Sequence, residues 1–384
     1  MKKIFFVLGW MLCVWNVAVA QQVLTGDTDT TTYLPLLEGQ RVAVLTNQTA
    51  LVDKEHLVDL LHRRGVNLVG IFSPEHGFRG TADAGEHVGN SVDAATGVPI
   101  LSLYNGNTQR PTEAVMHSFD LLVVDLQDVG LRFYTYYISM LRLMDACADF
   151  GQRVVVLDRP NPNGHRVDGP ILDMKYKSGV GWLPIPVMHG LTMGEIARMA
   201  IGEGWTKACG LTVIPCRNYT HQTPYVLPVA PSPNLPTQHA IYLYPSMCLF
   251  EGTVMSLGRG TPWPFEIYGH PAMKGYDFSF TPRPTAGAKH PLLEGRVCYG
   301  VDLRKLADTA ILRKGLDLTY IIEAYHAMGL GDKFFTPMFE KIIGVSYVRQ
   351  MILAGRSATE IKAMWRDDVA RFTRQRRPYL LYEE

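Results

Sequence analysis

Short apolar runs, each ending abruptly in polar or turn-forming residues, punctuate the first half of the chain. "RVAVLTNQT" (41–49) begins the series. "VNLVGIFSPEHG" (66–77), "VPILSLYNG" (98–106), "FDLLVVDLQDVG" (119–130) and "QRVVVLDRPNP" (152–162) continue it. The Val, Ile and Leu positions run on without alternating, the pattern of strands buried on both faces. Between the runs lie helical stretches. One, at about 54–64, puts Leu57, Val58, Leu60 and Leu61 on one face, and an aromatic-rich one spans about 134–150. Alternation of this kind predicts an α/β fold, a Rossmann-like doubly wound parallel sheet.

From about Pro228 the character changes. "APSPNLPT" is too rich in proline for helix interior and reads as a rigid connection. The segment from Tyr244 to Pro271, dense in Gly, Pro and aromatics, reads as an ordered loop region over a cleft, and 302–382 mixes helical patterns. A smaller α+β domain is therefore expected over 236–384, after an α/β catalytic domain over 21–235.

The first twenty residues carry two lysines, an apolar run and Ala-Val-Ala before Gln21. That is the layout of a cleavable secretory signal, its apolar run too short to span a bilayer. A periplasmic or secreted protein with no membrane anchor after cleavage is expected. The 384 residues carry a net charge of +1, which offers no footprint for nucleic acid. Outside the leader the cysteines are Cys147, Cys209, Cys216, Cys248 and Cys298. They form neither a disulfide framework nor a CxxC knuckle, although Cys209 and Cys216 could bridge locally. No GxGxxG, GxxxxGK[ST], GxSxG or HExxH string is present, which disfavours nucleotide binding, serine hydrolysis and a zincin site.

In open α/β sheets ligands bind outside the carboxyl ends of the strands. Those ends carry Asn47, the pair Glu75 and His76 with Arg79 just beyond, then Asp125 and Asp128, and Asp158, Arg159 and Asn161. Glu75, between a proline and His76-Gly77, suits a general acid, because partial desolvation raises a carboxyl pKa. Asp125, Asp128 and Glu251 are candidates for a second carboxylate role. Arg132, Tyr134 and Tyr136 follow the DLQDVG strand end, where aromatic rings could stack on sugars. Thr192 and Glu195 have capping-box spacing, so Glu195 has a structural task, whereas His189 before them does not. Asn234 lies in the proline-rich connection, and Arg259 could pair with a substrate carboxylate or with Glu251.

The strings SPEHG, DLQDVG.RFYTY, LDRPNP, HGLTMGE, PSPN.PT, FEGT and GRGTPWPFE occur in this order between about 41 and 271. Together they resemble the NamZ-type exo-β-N-acetylmuramidases. The resemblance implies a Rossmann-like domain, a smaller C-terminal domain and a cleft between them. It also implies release of N-acetylmuramic acid from non-reducing ends of peptidoglycan fragments, with the catalytic glutamate at Glu75 and no required cofactor or metal. Its substrate partners would be peptidoglycan-derived muramyl saccharides. One departure is the doubled tyrosine, Tyr136-Tyr137. Two other readings compete. A metal-dependent deacetylase or esterase would use His76, Asp125, Asp128 and His189 as ligands, and a non-catalytic envelope protein would bind sugars without releasing product. Among the arginines, Arg132 ranks first for holding the lactyl carboxylate, ahead of Arg79, Arg159 and Arg259.

Overall fold

The computed structural model describes residues 22–74, 78, 91–103 and 110–384. Glu75, His76 and Arg79 lie outside the described residues.

Seven strands build the central sheet: β1 (Val42–Thr46), β2 (Leu68–Ser73), β3 (Ser91–Val92), β4 (Pro99–Ser102), β5 (Leu121–Asp125), β6 (Arg153–Leu157) and β7 (Gly210–Ile214). Their spatial order is β3-β4-β2-β1-β5-β6-β7, and all neighbours are parallel except the short edge pair β3–β4. β1 and β5 are buried along their whole length, as expected of unalternating apolar runs covered on both faces. Without β3, the sheet grows outward from β1 in both directions, first through β2 to β4 and then through β5 to β7. The reversal falls between β1 and β5, where a doubly wound sheet opens its ligand crevice beyond the strand ends.

The helices include α1 (Thr30–Leu37), α2 (Leu57–Arg63), α3 (Glu113–Met116), α4 (Tyr136–Phe150) and α5 (Met193–Gly202). The stretch expected to be helical from about 54 starts later. Glu55 and His56 pair with Leu51 and Val52 in a two-stranded ribbon, and the His56 ring caps α2 by accepting from Val58 N. α4 likewise begins at Tyr136 and ends at Gly151, which takes the left-handed conformation. α5 carries the Thr192–Glu195 capping box.

The smaller C-terminal domain holds a three-stranded antiparallel sheet, β8 (Ile267–His270), β9 (Phe278–Phe280) and β10 (Cys298–Asp302), in the order β8-β10-β9. The rest of this half of the chain is helical: α6 (Gln238–Met247), α7 (Asp308–Lys314), α8 (Thr319–Met328), α9 (Met338–Ile343), α10 (Tyr347–Leu353), α11 (Ala358–Ala363) and α12 (Arg366–Arg376). The segment expected to be all loop therefore includes the end of α6, a 3-10 turn (Cys248–Gly252) and β8. One continuous hydrophobic core runs from Ala43 and Phe72 under the sheet to Phe339, Trp365 and Phe372 among the C-terminal helices. The five described cysteines are free thiols, so Cys209 and Cys216 form no bridge. No described helix is long and apolar enough to cross a membrane.

Candidate active site

Asn47 ends β1 and turns the chain back on itself. Its Oδ1 accepts from Thr49 N (3.1 Å) and Thr49 Oγ1 (2.6 Å), and the same hydroxyl accepts from Gln127 N beyond β5 (3.2 Å). The two loops at the switch point are thus tied together. Asn47 Nδ2 is buried and has no hydrogen-bond partner among the described residues.

Asp128, three residues past β5, is 4% exposed. Its Oδ1 accepts from Gly130 N at 2.6 Å, while Oδ2 has no partner among the described residues. Burial raises its pKa to about 7. Gly130 cannot be replaced here: its φ is +79°, and a Cβ would come within 2.2 Å of the Asn161 side chain. Asn161 is spent on this packing. Its Nδ2 donates to Leu191 O and its Oδ1 accepts from Asn163 N, so it knits loops together rather than facing a ligand.

The titration of Asp128 has a measurable signature. A carboxyl with a raised folded pKa holds its proton more tightly when folded, so its contribution is full below the ordinary carboxyl value of 3.8 and fades as pH rises through about 7. Asp27 and Asp158, each raised to about 6 by burial, act in the same direction. Asp128→Asn is expected to flatten the wild-type loss of stability between pH 5 and pH 8 by on the order of 3 kcal/mol. Parallel urea melts of both proteins at the two pH values check this; identical pH slopes would show that Asp128 titrates normally.

Asp125 is not a free carboxylate. Arg159 donates to both its oxygens, Nε to Oδ1 at 2.5 Å and Nη2 to Oδ2 at 3.0 Å, and Nη2 also meets Asp27 Oδ2 at 2.5 Å. All three side chains are at most 3% exposed. The triad explains why Asp125 and Arg159 sit at strand ends without facing a ligand: they lock the N-terminal lead-in onto the sheet. Asp27, the third member, gave no signal in the sequence beyond being one of two aspartates in a threonine-rich stretch. Asp158 is equally committed, accepting from Thr192 Oγ1 (2.6 Å), Gly194 N (2.8 Å) and Tyr382 Oη (2.6 Å).

Arg132 corrects the expectation of carboxylate recognition. Its side chain is wholly buried, and Nη1 donates to Pro170 O (2.7 Å) and Ile185 O (2.8 Å). Nη2 donates to Ile342 O (3.0 Å) and Ile343 O (2.7 Å) at the end of α9. Gly344 (φ +83°) lets this happen, since a Cβ there would reach Arg132 Nη2 at 2.5 Å. Burial lowers the Arg132 pKa to about 10. The residue neutralises neither Asp125 nor Asp128; it fastens the C-terminal helices to the central domain. Arg132→Ala should destabilise the protein by about 3 kcal/mol, by stranding buried carbonyls, and lower turnover of substrates with and without a lactyl group alike. A selective loss on lactyl substrates, with normal melting, would restore the recognition role.

The tyrosines are core residues too. Tyr134 and Tyr136 both donate to Pro231 O at 2.9 Å, and Gln48 Nε2 donates to Ala230 O at 3.1 Å. They seat the proline-rich connection over the end of β1 instead of presenting open faces to a sugar. Tyr137, the doubled tyrosine, is sealed in the core with its hydroxyl accepting from Trp182 N. His189 is fully buried, its Nδ1 accepts from Leu191 N at 3.1 Å, and burial lowers its pKa to about 3, with Arg376 and Arg132 nearby. It is therefore a neutral loop histidine whose Nε2 has no partner among the described residues.

Glu251 and Arg259 form a partly exposed ion pair, Nη2 to Oε1 at 2.5 Å. They line a cavity of about 80 Å³ together with Tyr134, Ser232, Asn234 and Phe265. Asn234 closes its rim by donating to Gly287 O at 2.6 Å. No group of three His, Cys, Asp or Glu side chains that could hold a metal ion occurs among the described residues.

Residues 42–239 match the family described as exo-beta-N-acetylmuramidase NamZ, N-terminal, and residues 242–382 match its C-terminal counterpart. The chain is 36% identical over 393 residues to "Peptidoglycan beta-N-acetylmuramidase NamZ" of Bacillus subtilis (strain 168), covering 94% of this chain and 92% of that one. Two crystal structures of DUF1343 family proteins from Bacteroides fragilis NCTC 9343 are similar. One is 57% identical with a TM-score of 0.89, covering 95% of this chain and 100% of that chain. The other is 27% identical with a TM-score of 0.80, covering 94% and 99%.

Proposed function

As a member of the NamZ exo-beta-N-acetylmuramidase family, this chain is a peptidoglycan glycosidase, and we propose that it is exported and releases N-acetylmuramic acid from the non-reducing ends of peptidoglycan fragments. The observation that carries this reading is the 36% identity, over nearly the whole of both chains, to a protein named for cleaving that bond. The reversal of strand order between β1 and β5 supports a sugar site beyond those strand ends.

Glycoside hydrolysis ordinarily uses two carboxyl groups, one to protonate the leaving oxygen and one to act from the opposite face of the sugar. In this proposal the general acid is Glu75, reached two residues after β2 ends at Ser73. Of the second candidates, both oxygens of Asp125 are bound to Arg159 and Glu251 is paired with Arg259. Asp128, with one buried oxygen unpartnered among the described residues, is the carboxyl left to act. β2 and β5 flank β1 on opposite sides. Groups on those two strand ends can thus approach one sugar from two sides, with the Asn47 amide between them as a hydrogen-bond donor.

The test is direct. Purified protein incubated with a MurNAc-GlcNAc disaccharide should yield free MurNAc, and long intact glycan strands should lose sugars only from one end. Rapid scission into mid-chain fragments would exclude the exo mode, and tight binding with no product would leave only a sugar-binding protein. Export is checked by locating the protein outside the cytoplasm with its N-terminus near Gln21.

A further inference from the structure

The motif GRGTPWPFE has a role that the strand-end chemistry does not use. Its Gly260, Thr261, Pro262, Trp263 and Pro264 form one wall of an open groove of about 580 Å³, facing Phe280, Arg283 and Gly287. Trp263 is held rigidly. Its backbone N–H donates to Thr261 Oγ1, and the Arg304 guanidinium, itself paired with Asp302, lies 4.0 Å from the ring centroid. Arg283 is exposed, and among the described residues its guanidinium has no hydrogen-bond or ion-pair partner. The other arginines weighed for carboxylate binding and described here are all occupied: Arg132 by carbonyls, Arg159 by two aspartates and Arg259 by Glu251.

The groove is joined to the strand ends through one short segment. Pro231 receives the Tyr134 and Tyr136 hydroxyls, and Pro233, Asn234 and Pro236 line the groove five residues or fewer further on. Extended chain of that length spans at most about 18 Å, the scale of a short saccharide. Asn234 lines both the groove and the small cavity beside Glu251. An enzyme that removes a terminal sugar needs a closed place for that sugar and an open one for the chain that continues beyond it.

We propose that this groove is the leaving-side subsite, in which the saccharide continuing past the cut bond lies along Trp263 and Phe280 and the lactyl carboxylate of its next muramyl residue pairs with Arg283. The inference rests on the muramidase reading above. A planar guanidinium meets a carboxylate with two parallel hydrogen bonds, and an aromatic wall gives the apolar face of a pyranose a surface to cover. Charge complementarity selects this occupant: Arg283 is the one charged residue among those that line the groove, and a peptide-free muramyl saccharide carries a carboxylate on every second sugar.

Three substrates separate the possibilities: MurNAc-GlcNAc, MurNAc-GlcNAc-MurNAc, and the same trisaccharide with its reducing-end lactyl group converted to an amide. Wild-type protein should favour the free-acid trisaccharide. Arg283→Gln should raise KM for that substrate about tenfold or more. It should leave kcat unchanged and leave both other substrates untouched, so that the preference disappears. Trp263→Ala should weaken all three substrates, the two trisaccharides more than the disaccharide, with a thermal melt confirming the fold. Equal losses on all three substrates with Arg283→Gln would place the arginine at the cleaved sugar and overturn the proposal, and so would no loss on any of them. If wild-type protein releases no MurNAc from the disaccharide, the muramidase reading itself falls, a result distinct from either.

Discussion

Glu75→Gln should leave a folded protein with 10²- to 10⁴-fold lower glycosidase activity, the usual contribution of a positioned general acid. The substitution keeps the shape of the side chain and removes its ionisable proton. The loss should be largest for substrates with poor leaving groups, because protonating the departing oxygen matters most there. A MurNAc glycoside of a good leaving group such as nitrophenol should retain much more of the wild-type rate, and that contrast separates loss of the acid from general damage. Near-native kcat/KM on MurNAc-GlcNAc, with unchanged melting, would remove Glu75 from the mechanism.

Arg159→Ala should be the most damaging substitution for stability, costing about 3–5 kcal/mol, the usual penalty for removing one partner of a buried ion pair. It leaves Asp125 and Asp27 facing each other in a site from which all three side chains exclude water. Burial already raises the Asp27 pKa to about 6 with the guanidinium present. Without it, at least one carboxyl must take up a proton for the chain to fold. The variant should therefore recover part of its stability on acidification from pH 7 to pH 5, and Arg159→Ala with Asp125→Asn and Asp27→Asn should be more stable than Arg159→Ala alone at pH 7. Chemical denaturation across that range is the measurement, and a variant as stable as wild type at pH 7 would show that the triad contributes little.

The parallel sheet was legible because its central strands are buried on both faces, so Val42–Leu45 and Leu121–Val124 are apolar without a break. β7 was not, because it is the sheet's edge. Its burial alternates and a glycine starts it, so "GLTVI" carries no run to notice. The C-terminal strands are three to five residues long and embedded in Gly, Pro and aromatic residues, and only their antiparallel pairing makes them strands. For the candidate site, the sequence located the strand ends but not their partnerships. The bond from Arg159 to Asp27 crosses 132 positions and those from Arg132 to the α9 carbonyls cross more than 200, so no local pattern encodes them. Short spacing did reveal local pairings, Thr192 with Glu195 and Arg259 with Glu251.

The fastening made by Arg132 bears on how substrate enters and product leaves. Its four carbonyl partners belong to the central domain on one side and to α9 on the other, and a single core continues through both. Swinging one domain away from the other would break the two hydrogen bonds from this charged group to α9, at about 1.5–3 kcal/mol each, and would expose the apolar core as well. Conformers that a ligand can select lie within a few kcal/mol of the ground state. A clamshell opening is therefore strongly disfavoured. The two domains are expected to stay joined through turnover.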